Sequence, residues 1–238
     1  LITGVSGGSF TALAYALHGE RLFDSYEERF LKRDVQGELL RRTLSPANWP
    51  ALGSDGYGRS ELAAQLYDEI LFDNATFGDL TTRPGPTATV TATDISTGSR
   101  LTFAQGDFDL ICSDLAKVPL SRAAAASSAV PLVLSPVTLD NYGGTCGYRK
   151  PRWVRALEDP NNPSRPAGRA LQRLKELDSF QDGVNRPYLH LVDGGLADNL
   201  GVRGVLEALE QVEASEALRN GPIIRTDRCR SRSRSLAI

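Results

Sequence analysis

The stretch that most constrains the fold is residues 1–10, Leu-Ile-Thr-Gly-Val-Ser-Gly-Gly-Ser-Phe. Gly4, Ser6 and Gly8 form a G-x-S-x-G pattern between an apolar segment typical of a buried strand and a run with few helix breakers. Strand, tight glycine turn and helix are the context of a nucleophile elbow, in which a serine occupies a sharp bend. A side chain at position 4 or 8 would crowd the approaching helix or strand, which favours glycine at both. A Gly/Ser-rich loop is the alternative interpretation.

The elbow has a chemical consequence for Ser6. It would place the serine at a helix N-terminus, where free N–H groups and the helix dipole favour developing negative charge. A serine hydroxyl is a poor nucleophile until another group accepts its proton. The sequence must therefore supply a base.

Length and composition indicate one large domain of a globular protein. The 238 residues contain 41% hydrophobic and 24% charged residues, which is ordinary for such a domain. No apolar run approaches the length of a membrane span, and no signal peptide is visible. Because the chain lacks Met and opens inside an apparent strand, we expect its N-terminus, with any targeting segment, to lie upstream. The compartment stays open, with membrane association or export among the alternatives.

The charge is small overall but concentrated at the end of the chain. The net charge of −2 does not suggest a nucleic-acid partner. Residues 225–238 carry five arginines and one aspartate, and we expect this Arg/Ser-rich tail to be solvated and disordered. Binding of RNA or anionic lipid by the tail is the alternative.

The cysteine spacing argues against a zinc site. Cys112, Cys146 and Cys229 form no C-x-x-C pattern. Free thiols are our first expectation, and a Cys112–Cys146 disulfide in an oxidising compartment is the alternative.

Apolar periodicity along the chain predicts strands interleaved with helices. Helices are expected over residues 9–17, 22–44, 60–72, 122–128, 169–180 and 202–218. Strands are expected at residues 87–93 and 100–104, as a hairpin, and at 187–192. Ser60 is the predicted N-cap of the third helix, and residues 45–59 and 142–166 read as loops. This order predicts an α/β layer fold with a local antiparallel hairpin.

Two histidines are available to activate Ser6. His18 follows on the same helix, roughly 18 Å away at helical rise, and cannot reach back. His190 lies in the strand before Asp193 and reads as a residue buried in the sheet. A Ser–His–Asp arrangement through His190 and Asp182 is conceivable, although no motif surrounds it.

Asp193 is the better candidate for the base. It ends an apolar strand and precedes Gly194 and Gly195, which clear space for close approach. Ser6 also follows a strand end, and two such ends on neighbouring parallel strands would meet at one edge of the sheet. A carboxylate shielded from water can serve as a general base. A simple turn residue is the alternative reading of Asp193.

Three blocks of sequence resemble the patatin-like phospholipase family. They are Gly4-Val5-Ser6-Gly7-Gly8-Ser9, Ala125-Ala126-Ser127-Ser128-Ala129-Val130-Pro131 and Asp193-Gly194-Gly195-Leu196-Ala197-Asp198-Asn199. The resemblance implies a three-layer α/β/α fold with a mostly parallel central sheet, over residues 1–224. It implies a Ser–Asp dyad with Ser6 as nucleophile and Asp193 as base. It also implies hydrolysis of acyl esters of lipids or phospholipids, without a metal or other cofactor. Asp198 and Asn199 read as caps of the following helix.

The chain departs from the family at the oxyanion hole. The family carries a glycine-rich segment, D-G-G-G-x-R-G, before the serine, and no residue precedes Leu1 here. The Gly7 N–H is the oxyanion donor expected in this chain, and the remainder would lie upstream. Because losing one such donor costs on the order of 10²–10³ in kcat, we expect this sequence to be weakly active or inactive. A Ser–His–Asp esterase using His190, or an inactive lipid-binding or interaction module, are the alternatives.

Overall fold

The computed structural model describes residues 1–54, 57–83, 85–150, 155 and 168–206. Five strands form one sheet, namely β1 (Ile2–Val5), β2 (Ala88–Asp94), β3 (Arg100–Thr102), β4 (Val137–Asp140) and β5 (Tyr188–Asp193). The flanking α-helices are α1 (Gly7–His18), α2 (Val35–Leu44), α3 (Trp49–Leu52), α4 (Arg59–Tyr67), α5 (Phe77–Thr81), α6 (Gln105–Leu110), α7 (Leu120–Ser127), α8 (Gly168–Phe180) and α9 (Gly195–Asp198). The predicted α/β class and the β2–β3 hairpin are confirmed.

The sheet is mixed. β1 runs parallel to β2, whereas β3 and β5 run antiparallel to β2 and β4 runs antiparallel to β5. The expectation that the strand before Gly194 runs parallel to β1 is therefore wrong. An apolar strand pattern carries no direction, and here β5 is paired with β4 as an antiparallel neighbour.

β1 and β5 share one edge of β2 and meet end to end. The Thr87 carbonyl accepts a hydrogen bond from β1, and the Ile95 N–H donates to β5. Because the backbone groups of successive residues point to opposite edges of a strand, these two odd-numbered residues face the same edge. β1 ends beside Thr91 and β5 ends beside Ala92. The opposite directions of β1 and β5 thus bring their carboxyl ends together.

Small residues allow the helices to approach the sheet closely. The four alanines of α7, residues 123–126, are fully buried between the sheet and its neighbouring helices. On α1 the core positions include Phe10 and Leu13, and the Phe10 ring packs edge-on against Tyr67 at a centroid distance of 4.6 Å. Burying such side chains supplies the main drive for folding, about 1.5–3 kcal/mol for each large one.

The predicted helix over residues 22–44 is broken into separate pieces. A 3₁₀ segment (Gly19–Asp24) and a π-helical segment (Glu27–Leu31) precede α2. Asp34 starts α2 as a new helix, since its side chain accepts the Gly37 N–H at 2.9 Å. Apolar residues on both sides of the break, Phe30 before it and Val35 and Leu39 after it, pack against the core, so the apolar period alone did not reveal the break. Other apolar residues of the stretch are exposed, namely Phe23, Leu31, Leu40 and Leu44.

The next two predicted segments also differ in detail. Residues 45–59, predicted as a loop, contain a 3₁₀ turn (Pro46–Asn48) and α3. Ser60 lies inside α4 rather than at its N-cap, and its N–H donates to Ser135 Oγ at 3.1 Å. A side chain distant in sequence therefore satisfies this helix terminus, a contact that a local pattern cannot show.

Cys112 and Cys146 are joined by a disulfide, so the expectation of free thiols at these two positions is wrong. Their Cα atoms lie 5.6 Å apart, within the range that a disulfide requires. The helix predicted over 202–218 begins at residue 202 and is described as far as 206. Cys229, the predicted boundary at residue 224 and the Arg/Ser-rich tail lie outside the described residues.

Candidate active site

Ser6 occupies a strained bend between β1 and α1. Its φ of 51° and ψ of −126° are a conformation that a residue with a side chain rarely adopts. Such strain costs of the order of 1–3 kcal/mol and persists where the surrounding structure enforces it. A Cβ on Gly4 would lie 2.8 Å from the Gly8 carbonyl oxygen and 2.8 Å from Ser9 Cα. The predicted elbow is therefore present, with glycine required at position 4 so that α1 can cross β1.

The reason predicted for Gly8 is wrong. A Cβ there, or on Gly7, would meet no heavy atom of the described residues within 4 Å. Both glycines border open space at the first turn of α1. The open space above Ser6 leaves room for a reacting group to approach the N-terminus of a 12-residue helix.

Asp193 lies directly against Ser6. The Ser6 hydroxyl donates to Asp193 Oδ2 at an Oγ–O distance of 2.7 Å. Asp193 Oδ1 accepts the N–H of Gly195 at 2.7 Å, so both carboxylate oxygens are engaged. The residue is buried, and its side chain is held at the end of a strand rather than on a loop.

The two glycines after Asp193 have distinct structural reasons. A Cβ on Gly194 would overlap the carbonyl oxygen of Thr91, so only glycine fits this turn against β2. A Cβ on Gly195 would lie 3.0 Å from Asp193 Oδ1, where it would crowd the carboxylate that the Gly195 N–H binds. The glycines thus allow the close approach expected from the sequence.

Ser127 joins the two halves of the site, a role that the sequence reasoning missed. Its hydroxyl accepts the Ser6 backbone N–H at 3.0 Å, and its carbonyl accepts the Gly194 N–H at 3.0 Å. Two residues later, the Ala129 carbonyl accepts the Asp193 N–H at 2.9 Å. The sequence signal for Ser127 was the Ala-Ala-Ser-Ser-Ala-Val-Pro block, which lies between the other two family-like blocks. The block contains no His, Cys, Asp or Glu that would have marked it as part of a catalytic site.

The contact with Ser127 also limits which N–H groups face a substrate. Because the Ser6 N–H donates to Ser127, it is not available to a developing oxyanion. Gly7 contributes the next N–H along the chain, at the start of α1. Gly7 as the oxyanion donor stays a prediction.

The histidines lie away from the pair. His190 is exposed rather than buried, and its Nδ1 lies 3.0 Å from the Thr138 hydroxyl. Since side chains alternate along a strand, His190 and Asp193 project from opposite faces of β5. The Asp182 carboxylate accepts hydrogen bonds from Asn185, which lower its pKa. His18 is at the far end of α1, where its Nε2 lies 2.7 Å from the Leu71 carbonyl oxygen.

Asp198 caps the helix that begins at residue 202, because its Oδ2 accepts the Arg203 N–H at 2.9 Å, as predicted. Among the described residues, no group of three or more His, Cys, Asp or Glu side chains is arranged to hold a metal ion. Within the same residues, no helix is both long and apolar enough to cross a bilayer.

A model of a known protein family matches most of the chain. The family model described as patatin-like phospholipase matches residues 1–206, a range that includes the elbow, Ser127 and the Asp193 turn. The chain belongs to the patatin-like phospholipase family. This family implies lipid acyl hydrolase activity and a lipid substrate. No curated protein matches the chain.

Proposed function

We propose that the protein hydrolyses carboxylic esters of lipids as a phospholipase A or esterase, with Ser6 as nucleophile and Asp193 as general base. One observation carries the proposal: the Ser6 hydroxyl donates to Asp193 Oδ2 at 2.7 Å from a strained strand-to-helix bend. A candidate base must lie within about 2.6–3.2 Å of the proton that it accepts, and this pair meets that requirement.

In the proposed reaction, Ser6 Oγ attacks the ester carbonyl carbon while its proton passes to Asp193 Oδ2. The negative charge that develops on the carbonyl oxygen lies near the first turn of α1, where the Gly7 N–H and the helix dipole favour it. Asp193 then donates the proton to the leaving alcohol oxygen as the C–O bond breaks, which leaves an acyl ester on Ser6. Water hydrolyses that ester with Asp193 again as base, and the products are a fatty acid and free Ser6.

The backbone holds the carboxylate ready for this exchange. Gly195 N–H donates to Oδ1, which leaves Oδ2 directed at Ser6. The Ser127 carbonyl and hydroxyl hold Gly194 and Ser6 at a fixed separation. Such positioning of Asp193 against Ser6 by rigid elements, rather than a histidine relay, would activate the Ser6 hydroxyl.

The test combines covalent trapping with turnover. A fluorophosphonate should label the parent protein on Ser6, identified by peptide mass spectrometry, and the parent should release fatty acid from a diacyl phospholipid. Ser6→Ala should lose both signals, whereas Ser128→Ala, whose hydroxyl donates to the Ala124 carbonyl within its own helix, serves as the control. His190→Gln should keep hydrolysis within roughly tenfold, because about 1.4 kcal/mol covers local repacking.

Two outcomes would contradict the proposal. Loss of several orders of magnitude in a folded His190→Gln protein would favour a Ser–His–Asp esterase. Absence of labelling and turnover in the folded parent, and also in a chain extended before Leu1 with the family's glycine-rich segment, would favour an inactive lipid-binding module.

A further inference from the structure

An exposed apolar turn lies beside the candidate active site. Residues 130–134, Val-Pro-Leu-Val-Leu, form this apolar turn, which is closed by hydrogen bonds from the N–H groups of Val133 and Leu134 to the Val130 carbonyl. The side chains at its tip are solvent-accessible: Leu132 is 94% exposed, Val133 56% and Val130 47%. Adjacent exposed apolar side chains mark contacts with partners or membranes more often than isolated ones.

The backbone of the tip is strained at Leu132, whose side chain is in solvent. Leu132 has a φ of +75°, which is unfavourable for a residue with a Cβ. A fully exposed leucine in such a conformation gains no burial within the described chain that would offset the strain. Strain of this kind concentrates at functional surfaces.

Both ends of the apolar turn are anchored. At one end the Ala129 carbonyl accepts the Asp193 N–H at 2.9 Å, so the turn departs directly from the Asp193 strand end. At the other end Ser135 accepts the N–H of Ser60 at 3.1 Å, and the Ser135 carbonyl accepts the Ser60 hydroxyl. Both ends of the apolar turn are therefore fixed to the rest of the protein, one of them at the strand end that carries Asp193.

The charges around the tip fit an anionic surface. Arg59 is exposed, and its Nη2 donates to the Leu132 carbonyl at 3.2 Å. Glu61, the acid nearest to it on α4, is paired with Arg122 at 3.0 Å. Residues 130–135 themselves carry no charge. An arginine beside apolar side chains is the combination that binds the phosphate level of a bilayer while the apolar groups enter it.

We propose that the apolar turn is a membrane-docking element, which inserts Leu132 and Val133 into a lipid surface while Arg59 binds lipid phosphate. The choice of a lipid surface as partner rests on the proposed function, since a lipid ester substrate resides in such a surface. Docking through the apolar turn would bring the Ser6–Asp193 pair to the level of the ester groups.

The test measures binding to vesicles that the protein cannot hydrolyse. Ether-linked phosphatidylcholine vesicles, with and without ether-linked phosphatidylglycerol, separate docking from catalysis. Leu132→Asp and Val133→Asp should each lower the vesicle partition coefficient by about tenfold or more, because a charged side chain replaces one that leaves water. Arg59→Gln should weaken binding most on the anionic vesicles, by roughly fivefold.

A matched control is available at the other end of the molecule. Val184 is 90% exposed and precedes the N-terminal end of β5, opposite to the end that carries Asp193. Val184→Asp should leave the partition coefficient within about twofold of the parent. In addition, Leu132→Trp should give a blue-shifted emission that bromine-labelled ether lipids quench, a readout that does not depend on losing binding.

The outcomes separate this proposal from the proposed function. Vesicle binding that depends on Leu132, without any ester hydrolysis, would support docking and contradict the hydrolase. Absence of parent binding, equal loss in Leu132→Asp and Val184→Asp, or an unquenched tryptophan would overturn docking while leaving hydrolysis of dissolved esters untouched.

Discussion

Replacing Ser127 by alanine should loosen the elbow that holds Ser6. The hydroxyl of Ser127 accepts the Ser6 N–H at 3.0 Å, and its removal leaves a partly buried donor without that acceptor, at a cost of about 1–2 kcal/mol. The strained φ of Ser6 stores energy of similar size, about 1–3 kcal/mol. Losing one support therefore allows the bend to relax, and a shift of the order of 1 Å would lower kcat/KM between about 10- and 100-fold.

The assay pairs ester hydrolysis with urea denaturation. Ser128→Ala is the matched control, because its hydroxyl donates to the Ala124 carbonyl within the helix and not to the elbow. We expect Ser127→Ala to lower both the unfolding free energy and the rate, and Ser128→Ala to leave the rate within about twofold. Equal rates for the two variants, with Ser127→Ala folded, would refute Ser127 as a positioning residue.

Three further predictions concern the surrounding structure. Gly194→Ala should destabilise the protein by about 1–3 kcal/mol or more because the new Cβ overlaps β2, whereas Gly8→Ala should not. Similar melting temperatures for the two variants would contradict the close packing of Gly194 against β2. Burial raises the pKa of Asp68, so the charged carboxylate opposes folding above that pKa. Asp68→Asn should therefore raise the unfolding free energy at pH 7 and not below pH 4. A difference in unfolding free energy between variant and parent that does not change with pH would contradict this. Reduction of the Cys112–Cys146 disulfide, which closes a separation of 34 residues, should cost up to about 4 kcal/mol, and an unchanged denaturation midpoint in reductant would contradict it.

Steric requirements at glycine made the elbow predictable. Gly4 must lack a Cβ for α1 to cross β1, and the residues that impose this requirement are its close neighbours in the sequence. The position of Asp193 at a strand end was likewise predictable from an apolar run followed by two glycines. The direction of β5 was not, because alternation and apolarity are the same in both directions.

Contacts between distant segments account for what the sequence did not show. Ser127 looks like one small residue in an alanine-rich helix, and its bond to the Ser6 N–H joins residues 121 positions apart. The exposure of Leu132 depends on a turn whose ends are bonded to Asp193 and Ser60, and no local pattern shows those two contacts. The disulfide also depended on the fold, which brings two cysteines together that have no characteristic spacing.

The most direct test of the Ser6–Asp193 assignment is a double-mutant cycle on ester hydrolysis. Initial rates on a short-chain nitrophenyl ester would be measured for the parent, Ser6→Ala, Asp193→Asn and the double variant. Because the Ser6 hydroxyl donates to Asp193 Oδ2 at 2.7 Å and the proposed reaction needs both groups, each single change should remove nearly all hydrolysis, and the double variant should be hardly worse than either. An Asp193→Asn protein that is folded and retains activity within about tenfold of the parent, or losses that multiply in the double variant, would contradict the dyad.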